Sequence, residues 1–134
     1  MMTKRRSRRN RSGTAVTELA VCLPVLVLIT LATIESCTML HLQQRLKTTA
    51  FEAARVGIVP GAKPVNVEYQ CELLLDNHGV QGYSVTMDPA NPSTLDQGDY
   101  FTVTVSASCG PNSLVGGWIY ADKILSKSVS LSAE

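Results

Sequence analysis

The residue whose chemistry most needs an explanation is Glu18, a carboxylate at the head of a long apolar run. Six basic residues precede it, at positions 4, 5, 6, 8, 9 and 11, and no acidic residue occurs before it. Burying a carboxylate in lipid costs a few kcal/mol, so ordinary signal peptides avoid one at this place. Glu18 therefore needs an ionic partner. The attraction between the two charges would be strengthened by the low dielectric. The alternative is that Glu18 only flanks a membrane span at headgroup level.

The other chemistry-bearing side chains form no catalytic or metal-binding pattern. His41 and His78 have no carboxylate or cysteine at the spacing of metal ligands. Neither a glycine-rich phosphate loop nor a nucleophile elbow occurs. The stretch 96–99 predicts a hairpin turn, since too few oxygen-bearing residues follow its two aspartates for a calcium loop. We therefore expect no enzymatic activity, no catalytic residue, no cofactor and no metal.

Glu18 is carried by an apolar segment that runs from Ala15 to Ile34. As a helix this segment rises about 30 Å, which is enough to cross a hydrocarbon core. Pro24 lies inside it, and spanning helices tolerate proline when packing re-satisfies the freed carbonyl. Because basic residues lie only on the N-terminal side, we expect a cytoplasmic N-terminus and an exported C-terminal part. Membrane topology also explains the basic run, so no nucleic-acid partner is expected.

A glycine stands five residues before Glu18, and the combination resembles a known pattern. A basic leader, Gly13, Glu18 and an apolar helix resemble the N-terminus of type IV prepilins and pseudopilins. The similarity is closer to the TadE-like pseudopilins of the tight-adherence (Flp pilus) machinery. Members carry Gly-x-Ala-x-x-Glu, four apolar residues and Leu-Pro, as in residues 13–24. They also carry an Ala-Ala-Arg-x-Gly stretch, here residues 53–57, and a late Thr-Val-Thr-Val strand, here residues 102–105.

The resemblance implies cleavage between Gly13 and Thr14 by a membrane-embedded prepilin peptidase. Gly13 has no side chain, which suits close approach of a protease to the backbone. Cleavage would remove all six leader charges, leave six basic and eleven acidic residues, and free an α-amino group on Thr14. Glu18 would then pair with the N-terminal ammonium of a neighbouring subunit, which makes it the expected assembly residue.

The function implied by the resemblance is that of a minor pilin or pseudopilin acting in Flp-type pilus assembly or adhesion. The implied partners are the prepilin peptidase, other pilin or pseudopilin subunits, the pilus assembly platform and the lipid bilayer. The implied location is the bacterial inner (cytoplasmic) membrane, as a single-pass protein with a periplasmic C-terminal domain; incorporation into an extracellular pilus stays open. One alternative is an unprocessed single-span scaffold subunit of the platform. Another is a periplasmic sensor or enzyme on a signal anchor.

Hydrophobic periodicity predicts an α+β, pilin-like fold in three parts. These are a basic cytoplasmic leader (1–13), a long helix (14–58) that is transmembrane over about 15–34, and an exported α+β domain (59–134). The helix continues beyond the membrane because an apolar stripe recurs every three or four residues, formed by Met39, Leu42, Leu46, Thr49, Ala53 and Val56. Val59, Pro60 and Gly61 end it.

The exported domain is predicted to hold a second helix and a small three-stranded antiparallel sheet. The helix runs from Val65 to Asn77, and three runs with period-two alternation follow, around Val85, Val103 and Val129. Lys127 falls in the apolar phase of the last strand, which leaves its register open. The loop before that strand carries an apolar patch, formed by Leu114, Val115, Trp118, Ile119 and Tyr120. We expect the patch to pack on the long helix; contact with the membrane interface or with another subunit is the alternative.

Two of the four cysteines are predicted to form a disulfide. Cys71 and Cys109 lie in the exported part, where an oxidising periplasm permits a bridge. A domain of about seventy-five residues rarely supplies enough core by itself. The alternative is that Cys71 is a small buried hydrophobe and Cys109 a loop thiol. Cys22 and Cys37 lie about 22 Å apart along a helix and cannot bridge within one chain.

Overall fold

The computed structural model describes residues 11–133, so most of the predicted leader (1–13) lies outside the described residues. The elements, in chain order, are helix α1 (Arg11–Gly57), helix α2 (Pro64–Asn77), strand β1 (Tyr83–Asp88), a 3-10 turn (Pro92–Thr94), strand β2 (Tyr100–Ser108), a second 3-10 turn (Gly110–Asn112) and strand β3 (Ile124–Ser132). The predicted α+β class, with a long first helix, a second helix and three antiparallel strands, is confirmed. The chain divides after Thr33 into two compact units, which are described in turn.

The first unit is the apolar part of α1. Its large apolar side chains are mostly exposed, from Val27 at 48% to Val21 at 70%, and Leu31 is half-buried. Pro24 lies inside the helix, which runs on through it. Within residues 11–133, α1 is the one helix long and apolar enough to cross a membrane. Apolar side chains with so little protein cover are favoured in lipid and disfavoured in water.

Three threonines in this unit bond to their own helix. The hydroxyls of Thr17, Thr30 and Thr33 donate to the carbonyl oxygens of Gly13, Leu26 and Ile29, at 2.9, 2.8 and 2.8 Å. Each bond spans one helical turn. Since lipid offers no partner for a hydroxyl, this arrangement satisfies these groups inside the helix itself.

The second unit is a core formed by the rest of α1, α2 and the sheet. Helix α1 contributes most of the stripe predicted from the sequence, since Met39, Leu42, Leu46, Thr49 and Ala53 are all buried. Helix α2 adds Val67, Cys71 and Leu75. Strand β2 adds Phe101, Val103, Val105 and Ala107, none more than 1% exposed. Fully burying an aliphatic or aromatic side chain stabilises by about 1.5–3 kcal/mol, so this layer holds the domain together.

The sheet has the order β1-β2-β3, and both pairs are antiparallel. Val105 pairs with Val85 of β1 and with Lys127 of β3. Lys127 therefore lies on the same face of the sheet as these valines, which is the register that the alternation of the last strand predicted. Lys127 is half-buried, and a lysine can lay its stem on apolar neighbours while its ammonium reaches water. On the other face, hydroxyl groups pair across the strands at 2.6–2.7 Å, in Thr102–Ser130, Thr104–Ser128 and Ser84–Ser106.

Helix α2 ends at a glycine, and α1 holds that end in place. Gly79 has φ of +66°, which favours glycine, and the Val80 N–H donates to the Leu75 carbonyl across the turn. Arg45 of α1 donates from Nη1 to the carbonyl oxygen of His78, 2.9 Å away. A cation at this position stabilises the negative end of the helix dipole. His78 itself is the exposed C-cap residue of α2.

The far end of α1 meets β2 at Gly57. Ala53 and Ala54, in the preceding turn, have no exposed surface. A Cβ atom added at Gly57 would overlap the ring of Phe101, the largest fully buried side chain of the core. In the Ala-Ala-Arg-x-Gly stretch noted in the sequence, the helix backbone therefore comes too close to Phe101 for a Cβ atom at Gly57.

Candidate processing and assembly site

The predicted cleavage site lies in the first turn of α1. Gly13 and Thr14 are exposed, and a Cβ atom added at Gly13 would meet nothing within 4 Å. The fold of the chain therefore does not require glycine at this position. The Gly13 carbonyl, which belongs to the bond in question, accepts the Thr17 hydroxyl.

Glu18 lies one helical turn beyond Thr14, on the same face of α1. It is exposed, and no described side chain forms a salt bridge with it. The sequence contains no lysine or arginine between Thr14 and Gln44, so this part of α1 supplies no permanent cation. A cationic partner for Glu18 in lipid would therefore have to come from the chain at or before Thr14 or from another molecule.

Cys71 and Cys109 both lie in the core, and both are free thiols in this structure. Cys71 faces inward from α2, and the Cys109 backbone N–H donates to the Lys123 carbonyl just beyond β2. Burial, followed by the negative charges of Glu68 and Glu72, raises the pKa of Cys71 to about 11. Burial also raises the pKa of Cys109, opposed in part by the charge of Lys123. Their pairing in a disulfide stays a prediction.

The raised pKa of Cys71 predicts a stability loss at high pH in the reduced protein. An unfolded thiol ionises near pH 9, whereas the folded Cys71 stays neutral up to about pH 11. Below pH 9 the stabilisation that comes from the neutral, buried Cys71 thiol is fully present. It is lost as the pH rises through 11, because only the unfolded state releases the thiol proton easily. We expect the free energy of unfolding to fall by about 2–3 kcal/mol more in the wild type than in Cys71→Ala over this range.

Denaturant unfolding at pH 8 to 11 measures this difference, with Cys37→Ala as a control that leaves the buried thiol in place. The pKa of Tyr83 is also raised, by burial and by its hydrogen bond to Asp76, so only the difference between the variants is informative. A disulfide does not titrate. The Cys71-dependent loss should therefore vanish without reductant if Cys71 and Cys109 are bridged. Equal pH profiles for reduced wild type and Cys71→Ala would contradict the burial effect.

The apolar loop patch is divided between the core and the surface. Tyr120 packs against the core, as expected, and Lys123 Nζ lies 5.1 Å from the centre of its ring. Leu114 and Trp118, however, are 77% and 78% exposed. The expectation that the patch packs on the long helix is therefore wrong for these two residues. They are large apolar side chains without cover in the single chain.

The structure adds Glu35, a residue that the sequence reasoning did not assign a role. Glu35 is 2% exposed, and its Oε1 accepts the hydroxyl of Ser113 at 3.4 Å. Its position was visible in the sequence, because Glu35 lies one turn before Met39 in the phase of the buried stripe. Among residues 11–133, no group of three histidine, cysteine, aspartate or glutamate side chains could hold a metal ion.

The comparison with protein families agrees with the N-terminal pattern. The model of the TadE family, described as TadE-like protein, matches residues 13–55. The matched segment starts at Gly13, contains Glu18 and ends within the buried half of α1; it is shorter than half of the chain. The resemblance stated from the sequence is thereby confirmed over these residues. No curated protein sequence and no solved structure matches the chain.

Proposed function

With a TadE-like N-terminal segment, the protein is related to the tight-adherence (Flp) pilus system, and we propose that it acts there as a minor pilin or pseudopilin. The observation that carries this proposal is the position of the family match, which begins at Gly13 and covers the whole apolar helix. TadE-like proteins are a structural kind of protein, not an enzymatic one. The role we propose is in the assembly of the pilus or in its adhesion.

The first step of the proposal is cleavage of the Gly13–Thr14 bond by a prepilin peptidase. The exposure of both residues and the empty space around Gly13 support access to this bond. Cleavage would remove the basic leader and create an ammonium group on Thr14. The processed chain would then have one positive charge at its start and one negative charge at Glu18, each inside or beside the membrane.

The second step is an ion pair between Glu18 and the Thr14 ammonium of a neighbouring subunit. Within one chain, Thr14 and Glu18 are four residues apart, and such a pair in an exposed helix contributes only about 0.3–0.5 kcal/mol. Between two helices in contact, the pair would be shielded from water and its attraction correspondingly greater. An unpaired buried charge is strongly unfavourable, so the pair would select a defined arrangement of subunits.

The third part of the proposal is location. The uncovered apolar side chains of α1 and the family match indicate a membrane-anchored protein. We propose that it lies in the inner membrane with its N-terminus in the cytoplasm and its α+β domain in the periplasm. The six basic residues before Gly13 support this orientation. Its partners would be the peptidase, other pilin subunits and the assembly platform.

Replacing Glu18 tests the assembly role directly. Glu18→Ala removes the carboxylate but makes the apolar segment more apolar, so insertion and cleavage should be retained while the pilus is lost. The matched control is Glu52→Ala, on the same helix. Glu52 forms only an exposed pair with Arg55 at 3.8 Å, and its loss should cost less than about 1 kcal/mol. Immunoblotting of membrane fractions and counting of pili by electron microscopy provide the two readouts.

Normal piliation by cells that carry Glu18→Ala as the sole copy would contradict the proposed pair. Glu18 would then be only a residue at headgroup level. Loss of the protein from the membrane fraction would instead show that Glu18 acts in insertion.

A further inference from the structure

The loop between β2 and β3 presents two large apolar side chains, Leu114 and Trp118, that the domain leaves uncovered. Trp118 is the only tryptophan of the chain. Tyr120 and Lys123, beside them, form an aromatic and cationic pair at 5.1 Å. Tryptophan, tyrosine and lysine are the side chains typical of a membrane–water interface.

One long hydrogen bond joins this loop to α1, and a second bond lies within the loop. The backbone N–H of Gly117 donates to Ser113 Oγ at 2.7 Å, and Ser113 Oγ donates to the Glu35 carboxylate at 3.4 Å. Gly117 is buried, with φ of +71°, and a Cβ atom there would come within 3.3 Å of the Ala121 backbone. Trp118 follows Gly117 directly, so its backbone is one residue away from this pair of bonds.

Glu35 marks the end of the apolar segment. It follows Ile34 directly in the same helix, α1. Ser113 donates to Glu35 and Gly117 donates to Ser113, so the loop contacts the first residue after the apolar segment.

We propose that residues 113–119 form a second membrane contact, in which Leu114 and Trp118 enter the boundary between headgroups and acyl chains of a phospholipid bilayer. This inference rests on the membrane placement of α1. It explains why a small domain keeps two large apolar residues exposed on a loop that contacts Glu35. Removing each from water is favourable by about 1.5–3 kcal/mol if it is fully covered. The contact would hold the exported domain at the membrane surface.

The single tryptophan allows a direct test on the full chain. The protein is reconstituted at one chain per nanodisc, in phosphatidylethanolamine and phosphatidylglycerol, with and without bromine on the upper acyl carbons. We expect brominated lipid to quench Trp118 emission at least about twofold, with emission at shorter wavelength than in the unfolded protein. Emission that brominated lipid leaves unchanged would overturn the proposal.

A matched control separates this contact from chance collisions. Tyr100 is 72% exposed, but it precedes Phe101, which packs at Gly57, the other end of α1. Gly57 lies about 33 Å along the helix from Glu35. In the double variant Trp118→Phe/Tyr100→Trp the tryptophan should not be quenched by brominated lipid. Equal quenching at both positions would overturn the proposal, because the whole domain would then lie on the lipid.

A second reporter separates failure of this inference from failure of the membrane anchor. In Trp118→Phe/Leu28→Trp the tryptophan is placed in the apolar segment, where it should be quenched by bromine deep in the acyl chains. Quenching there but not at Trp118 would overturn the loop contact and leave the anchor in place. Quenching at neither position would overturn both. If Trp118 emission shifts only when several chains share a disc, its cover is a second copy, and the lipid contact is wrong.

Discussion

Gly57→Ala is expected to destabilise the α+β domain by about 3 kcal/mol or more, although it adds only a methyl group. That group would overlap the Phe101 ring. Phe101 is fully buried, so the ring cannot turn into open space, and overpacking of this kind costs about 1–3 kcal/mol even where neighbours yield. Displacing the ring from the core would cost about 3–5 kcal/mol. Helix propensity predicts the opposite sign, since alanine is favoured over glycine by about 1 kcal/mol.

Denaturant unfolding of the wild type and Gly57→Ala measures the effect, and a second substitution identifies its cause. Gly13→Ala is the matched control, because it makes the same change in the same helix at a position with no neighbour within 4 Å. In Gly57→Ala/Phe101→Leu the smaller side chain should make room, so the double variant should lose less than the sum of the two single losses. Additive losses, or a Gly57→Ala protein as stable as the wild type, would contradict the close approach.

Gly13→Leu is expected to abolish cleavage of the leader. The side chain has room within the chain itself, since no atom lies within 4 Å of a Cβ at this position. The fold and the apolar segment should therefore be unaffected, and only the fit to the peptidase should change. The intact mass of the membrane form should then include residues 1–13, whereas the wild type should start at Thr14.

Ala20→Leu is the control for this experiment, because it makes a similar change at an exposed position in the same segment. It should be cleaved like the wild type. Equal masses for Gly13→Leu and wild type, both without the leader, would show that the glycine is not required. A wild-type chain that retains residues 1–13 in cells containing the peptidase would instead support the unprocessed scaffold.

Periodicity alone was sufficient to predict the elements of the fold. The stripe from Met39 to Ala53 is buried because its spacing follows the helical repeat, and this holds even for Thr49. The three strands follow from alternation, and the run predicted around Val103 is strand β2, Tyr100–Ser108. Lys127 is the one charged residue among the inward-facing positions of β3. The apolar residues around it in β3 fix the register, and its long stem tolerates the half-buried position.

The contacts that the sequence did not predict join residues far apart in the chain. Gly57 and Phe101, like Glu35 and Ser113, meet only because β2 and the following loop return to α1, and no local pattern encodes such a return. The exposed part of the loop patch was missed for the same reason. Apolar content predicts burial, and the two uncovered residues could be recognised only when the positions of their neighbours were known. The Gly13, Thr14 and Glu18 site rests on a local motif, which a sequence can display without its fold, and its roles stay predictions.

The threonine hydroxyls of the apolar segment bear on the free energy of moving this helix from lipid into a helical assembly. Thr17, Thr30 and Thr33 carry their acceptors with them, one turn back along the same backbone. Moving from acyl chains to the interior of a helical assembly would leave these three bonds unchanged. Glu18 is the only ionic side chain between Thr14 and Ile34. Between these two residues, the electrostatic cost of a low-dielectric environment, whether lipid or protein, is therefore concentrated in a single carboxylate, and a cation that pairs with it would remove most of that cost.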